Sequence, residues 1–148
     1  MAKTTLHIGA AGELLVQFRL VRNGIDSARL TTDSGVDLVA YPPGTGRALT
    51  VQVKTVERST PAGGKGALTT GVVFPKECPA EYLAIVRLSD EIVWLFPILD
   101  ALRLSKQAVP RLYWYVHPNT APSGALTEQD VEPFRLERML TQLTQAAE

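Results

Sequence analysis

The chain has 148 residues, 45% of them hydrophobic, and 15 Lys/Arg balance 15 Asp/Glu to a formal net charge of zero. That length suits one domain, residues 1–148, around a single sizeable core, and zero net charge argues against generic coating of nucleic acid while leaving room for a local patch. The most apolar stretches, such as Tyr82 to Leu88 and Ile92 to Ile98, are interrupted by Arg, Asp or Glu and never approach the roughly 20 residues that span a bilayer. No transmembrane helix is expected. The opening MAKTTLHIGAAGELLVQF, with one lysine and an apolar stretch broken by Glu13, fits neither a secretory signal nor an Arg-rich transit peptide, so a cytoplasmic location is expected. Cys78 is the only cysteine, which excludes an intrachain disulfide and a multi-cysteine zinc site.

Taken in chain order, apolar residues recur at helical spacing from about His7 to Asn23, and Asn23-Gly24 supplies the stop. Ile8, Leu14, Leu15, Phe18 and Val21 make up the apolar pattern, while Glu13 and Gln17, four residues apart, share a neighbouring face. Asp26 to Thr32 reads as a short strand, Asp33-Ser34-Gly35 as a turn, and Val36 to Tyr41 as a second strand. After the loop Pro42 to Gly46, LTVQVKTV (Leu49 to Val56) alternates strictly, with Leu49, Val51 and Val53 on one face and Gln52 and Lys54 on the other. Glu57 to Gly71 is rich in Gly, Ser and Thr and reads as a surface loop carrying Arg58 and Lys65. Tyr82 to Leu88 and Ile92 to Phe96 form a hairpin pattern, Pro97 to Leu104 a short helix, Leu112 to Val116 a last strand, and Phe134 to Gln145 a terminal helix. This succession predicts an α/β fold, a mixed β-sheet flanked by helices.

Asp37, Gln52 and Lys54 interrupt segments that otherwise look like buried strands, and a charge is costly to desolvate without a partner. Pleating sets Gln52 and Lys54 roughly 6–7 Å apart on one face, and an antiparallel neighbour would bring Asp37 across from them. A carboxylate and an amide oxygen at one point suit Mg²⁺, which binds few protein carboxylates and keeps several waters. An adjacent ammonium could orient a water or stabilise charge growing on a phosphate oxygen. Residues 1–76 hold nine Lys/Arg and five Asp/Glu, residues 77–148 six and ten, so the positive excess lies in the half with this constellation. Competing motifs are missing: PPGTGRALT lacks phosphate-loop spacing, and no G-x-S-x-G or H-E-x-x-H occurs. His7 and His117 lack partners at catalytic spacing, and Tyr113, Trp114 and Tyr115 lie in a strand run where packing is the ordinary role.

Glu13 in a first helix, Asp37 in a strand and Gln52-x-Lys54 in the next resemble the PD-(D/E)XK nuclease superfamily. The likeness is to its E…D…(E/Q)xK branches, which include archaeal Holliday-junction resolvases and intron-encoded homing endonucleases. It covers roughly residues 7–56. The resemblance implies a restriction-endonuclease-like αβββαβ core and a Mg²⁺- or Mn²⁺-dependent DNA endonuclease. In it Asp37, Gln52, the Val53 carbonyl and Glu13 would serve the metal, and Lys54 would assist the attacking water. Arg58 and Lys65 are the expected DNA contacts, and a homodimer is expected because one such domain has a limited footprint. Gln52 stands where a carboxylate is commoner, and no proline precedes Asp37. The alternative is a catalytically inactive module of the same fold that binds nucleic acid or a protein partner.

Overall fold

A computed structural model describes residues 2–32, 34–105 and 107–145; Asp33, in the expected turn before Asp37, lies outside them. Helix α1 spans Thr5–Arg22. Its start is fixed by a reciprocal cap in which the His7 N–H donates to Thr4 Oγ1 and the Thr4 N–H donates to His7 Nδ1, so two otherwise orphaned donors are satisfied. His7 therefore has a structural task. Strands β1 (Asp26–Arg29), β2 (Leu38–Tyr41) and β3 (Leu49–Val56) follow, then β4 (Thr60–Pro61), β5 (Leu68–Val73), β6 (Tyr82–Arg87) and β7 (Ile92–Pro97). Helix α2 (Ile98–Ser105), strand β8 (Arg111–Tyr115) and helix α3 (Leu136–Gln145) complete the described chain. Among the described residues no helix is long and apolar enough to cross a membrane.

The main sheet has the order β1-β2-β3-β6-β7, antiparallel except for the parallel β3–β6 pair. Pleating splits its side chains between two cores. Leu38, Ala40, Val51, Ala84, Val86, Val93 and Leu95 pack under α1 and α3, against Val16, Leu20, Leu136 and Leu140. On the other face Leu83, Ile85, Trp94 and Phe96 meet α2 and the second sheet through Ala101, Val72, Leu112 and Trp114. The fold is thus a mixed sheet flanked by helices, as expected from sequence, with an additional small sheet.

Two details differ from the sequence reading. Helix α1 turns Gly12, Val16 and Leu20 inward, leaving Leu14, Phe18 and Val21 more than half exposed. The cause is close approach to β3: a Cβ on Gly12 would fall 1.8 Å from Thr55 Oγ1, so only glycine lets the helix settle on that stripe. Second, the stretch expected to be loop, Glu57 to Gly71, contains β4 and the start of β5. The Thr-Thr-Gly-Val-Val run pairs antiparallel with β8, so β8 belongs to the second sheet, of order β4-β5-β8. The β3-to-β6 crossover therefore runs through a hairpin, where αβββαβ order would put a helix.

One buried cation fastens the two sheets. Arg87, at the end of β6, is 3% exposed and donates to Asp90, Glu128, Thr70 and Ser59. Its guanidinium lies 5.1 Å from the centroid of the Trp94 ring, and Trp114 Nε1 donates to the same Glu128 carboxylate. Burial opposes the charge, but the hydrogen bonds to Asp90 and Glu128 outweigh it and raise the guanidinium pKa above its ordinary value.

Candidate active site

Asp37 stands one residue before β2, in a turn that closes through two backbone contacts. Its N–H donates to the Val51 carbonyl, and its own carbonyl accepts the Leu30 N–H. Gly35 has φ +89°, and a Cβ there would come within 2.8 Å of Pro79, so the turn needs glycine to accommodate the segment packed on it. The Asp37 side chain then reaches along the edge of β3, where Oδ2 accepts the Val53 N–H at 2.7 Å. Strand β2 pairs with β3 only from Leu49 to Val51, so beyond Val51 the carboxylate takes the place of a strand neighbour. The N–H and C=O of one strand residue point to the same side; the Val53 carbonyl is therefore presented at the edge occupied by Asp37.

The register sets the other two residues. Leu38 pairs with Val51, which puts Asp37 across from Gln52, and Lys54 follows two residues on with its side chain on the Gln52 face. Gln52 is 5% exposed, and its Oε1 accepts the Cys78 thiol at 3.1 Å. Cys78 sits next to Pro79, the residue packed on Gly35, so one loop braces both the aspartate turn and the amide. Nothing in the sequence marks this contact across 26 positions. Lys54 lines a cleft of about 450 Å³ with Val73, Phe74, Lys76, Val109 and Pro110, and it makes no ion pair with a described residue.

Glu13 approaches from the opposite layer. It lies on α1, over the face carrying Val51 and Val53, and its Oε2 receives Arg29 Nη2 at 2.6 Å. Gln17 likewise donates to Ser27 on β1, so the shared face expected for Glu13 and Gln17 is the one turned to β1. Arg29 pairs with Leu38, next to Asp37, which puts the Glu13–Arg29 pair at the same end of the sheet as the other three residues. Arg58 is exposed just beyond β3, and Lys65 is exposed at the turn between β4 and β5.

Among the described residues no three His, Cys, Asp or Glu side chains cluster as a metal site. The oxygen donors that Asp37, Gln52 and Val53 would offer are instead one carboxylate, one amide oxygen and one backbone carbonyl. That hard, weakly charged set fits Mg²⁺, which coordinates through one or two carboxylates and keeps waters for its remaining positions. The Cys78 thiol is the donor recorded on Gln52 Oε1 among the described residues, and an amide oxygen has a second lone pair.

The whole architecture has a solved counterpart. A bacterial homing endonuclease, I-Ssp6803I, superposes with a TM-score of 0.68 at 14% sequence identity, covering 99% of this chain and 95% of that one. The likeness shows the fold: a mixed sheet flanked by helices, shared with that endonuclease. Hjc, a Holliday junction resolvase from the archaeal hyperthermophile Archaeoglobus fulgidus, is also similar, at TM-score 0.45 and 17% identity, covering 83% of this chain and 93% of that one. No protein-family model and no curated protein matches the sequence. Within this fold the β4-β5-β8 sheet lies beside Lys54: Val73 and Phe74, at and just after the end of β5, share its cleft with Val109 and Pro110, just before β8.

Proposed function

We propose that the chain is a divalent-metal-dependent endonuclease that hydrolyses DNA phosphodiester bonds. The observation that supports this reading is the Asp37 carboxylate seated on the Val53 N–H at 2.7 Å, on the strand residue between Gln52 and Lys54. In this reading Asp37, Gln52 and the Val53 carbonyl hold Mg²⁺ or Mn²⁺. When bound, the metal supplies Lewis-acid polarisation of the scissile phosphate and a lowered pKa for a coordinated water. Lys54 Nζ orients the attacking water by hydrogen bonding and stabilises the negative charge that grows on the phosphate oxygens. Glu13 adds negative charge from the α1 side and is itself held by Arg29. Arg58 and Lys65 meet phosphates away from the scissile one, an electrostatic, sequence-independent task. The working assembly is a cytoplasmic homodimer, for which the exposed Leu14, Phe18 and Val21 stripe on α1 is the apolar surface to be covered.

A second reading is favoured by one specific feature. Gln52 offers no charge and its oxygen already accepts the Cys78 thiol, which suits a module that keeps the fold and binds DNA without turnover. Incubation of the purified chain with supercoiled plasmid and with branched and single-stranded oligonucleotides separates the two. The nuclease reading expects strand scission in Mg²⁺ or Mn²⁺ and none in EDTA. DNA binding with no scission in either metal would establish the silent module instead.

A further inference from the structure

The second sheet has an inner and an outer face. Thr70, Val72, Leu112 and Trp114 point inward, toward the main sheet, so alternation puts Arg111, Tyr113 and Tyr115 of β8 on the outer face. Register sets Thr69 opposite Tyr115, Gly71 opposite Tyr113 and Val73 opposite Arg111; Gly71 adds no side chain to the middle of this face. The two tyrosine rings stand 6.4 Å apart in an edge arrangement, and the Arg111 guanidinium lies 5.3 Å from the centroid of the Tyr113 ring. Gln107 and Thr69 join these three side chains around an open hollow of about 180 Å³.

Three properties identify what this face takes. Strands β4, β5 and β8 contain no aspartate or glutamate, although the chain as a whole is neutral, so nothing on them repels a polyanion. The groups on offer are a guanidinium, two phenols, an amide and a hydroxyl, the donors and acceptors that read base edges. The face is also continuous with the Lys54 cleft, because Val73, the outer-face partner of Arg111, lines that cleft together with Pro110. A duplex whose scissile phosphate lay at Lys54 would have this face within reach of its flank. From Arg111 to Tyr115 the strand covers roughly 13 Å at about 3.3 Å per residue, the rise of about four base pairs.

We propose that the outer face of the β4-β5-β8 sheet is a duplex-DNA reading surface, with Arg111, Tyr113 and Tyr115 determining where the enzyme sits. A β-ribbon is narrow enough to enter the major groove, and Lys65, at the turn leading into β5, would then flank it. The inference rests on the proposed nuclease function, but its test does not require turnover. Fluorescence anisotropy in EDTA with a 30-base-pair duplex of randomised sequence measures affinity, and selection from the same pool measures preference. Wild type should bind the duplex more tightly than the corresponding single strand. Arg111→Ala and Tyr113→Ala, each with an unfolding midpoint close to wild type, should weaken binding of the selected sequence roughly 5- to 150-fold, the range for loss of one good base contact. Each should also flatten the selected preference.

Unchanged affinity and preference in both variants would overturn the surface, as would failure of wild type to bind duplex or a stronger affinity for single strands. If Arg111→Ala upsets folding, Tyr115→Phe, which removes only a hydroxyl, provides the same readout. Binding through this face without scission in Mg²⁺ would sink the nuclease reading and keep the surface. Scission by wild type with unaltered binding by the variants would do the reverse.

Discussion

Substitution of Lys54 by methionine is expected to slow Mg²⁺-dependent DNA scission by roughly 10²–10³-fold, the usual cost of removing one positioned donor that stabilises transition-state charge. Methionine keeps a long unbranched stem against the apolar cleft wall formed by Val73, Phe74 and Val109, so the packing of β3 against the second sheet should persist. What disappears is the ammonium. Because Lys54 makes no ion pair with a described residue, its loss strands no carboxylate among the described residues. The effect should fall on turnover, with duplex affinity in EDTA changed by no more than a few-fold, as expected for one lost phosphate contact among several. Initial rates on plasmid DNA, paired with anisotropy in EDTA, separate the two contributions. Equal rates for wild type and Lys54→Met would remove Lys54 from the chemistry.

The largest stability effect should come from Arg87. Arg87→Met should destabilise the fold by about 3 kcal/mol, toward the lower end of the range for breaking a buried pair, because Asp90 and Glu128 both keep some access to water. The loss has a definite anatomy: two carboxylates, Thr70 and Ser59 give up a donor, and Trp94 gives up its cation. Among the described residues, the hydrogen bond left to the Glu128 side chain is the one from the Trp114 indole. Urea unfolding followed by tryptophan fluorescence measures the change. A pH series adds an independent check. The hydrogen bond from Arg87 is the main influence holding the Asp90 carboxyl below its ordinary range, against the opposing effect of burial. A carboxyl whose folded pKa is depressed stabilises the fold above its unfolded pKa and loses that contribution as pH falls through the folded value. Wild-type stability should therefore drop below the ordinary carboxylate pKa, and Arg87→Met should lose part of that slope. A variant as stable as wild type would mean that the clamp contributes nothing net.

The motif was readable because strand alternation is a local property. LTVQVKTV alone separates Gln52 and Lys54 from Val51 and Val53, and the antiparallel partner then follows from the short connection between two strand-like runs. Long-range approach was not readable. Leu14, Phe18 and Val21 have the spacing of a buried stripe, but the 1.8 Å that separates a notional Gly12 Cβ from Thr55 Oγ1 decides which side of α1 faces the sheet, and that requires β3 to be in place. The run from Leu68 to Val73 was masked by the glycines before it; its partner β8 lies some forty positions away, so neither half signals the pairing alone. Cys78 reaches Gln52 from a loop whose next residue, Pro79, packs against Gly35, and neither contact is local in sequence. Tyr113 and Trp114 are neighbours in sequence with opposite fates, and alternation predicts that they differ without saying which side is outer.

The chemistry proposed at the β3 edge stands or falls on Asp37. Asparagine at this position keeps a side-chain oxygen for the Val53 N–H while removing the charge that would hold the metal, so folding and chemistry are separated in one substitution. With supercoiled plasmid in Mg²⁺, wild type should cleave and stop on addition of EDTA. Asp37→Asn, unfolding at the same urea concentration, should cleave more than about a hundredfold slower, since disturbing even the outer partners of a metal site costs about 10–100-fold. Cleavage by Asp37→Asn at the wild-type rate, or wild-type cleavage that persists in EDTA, would contradict a metal-dependent nuclease built on this strand edge.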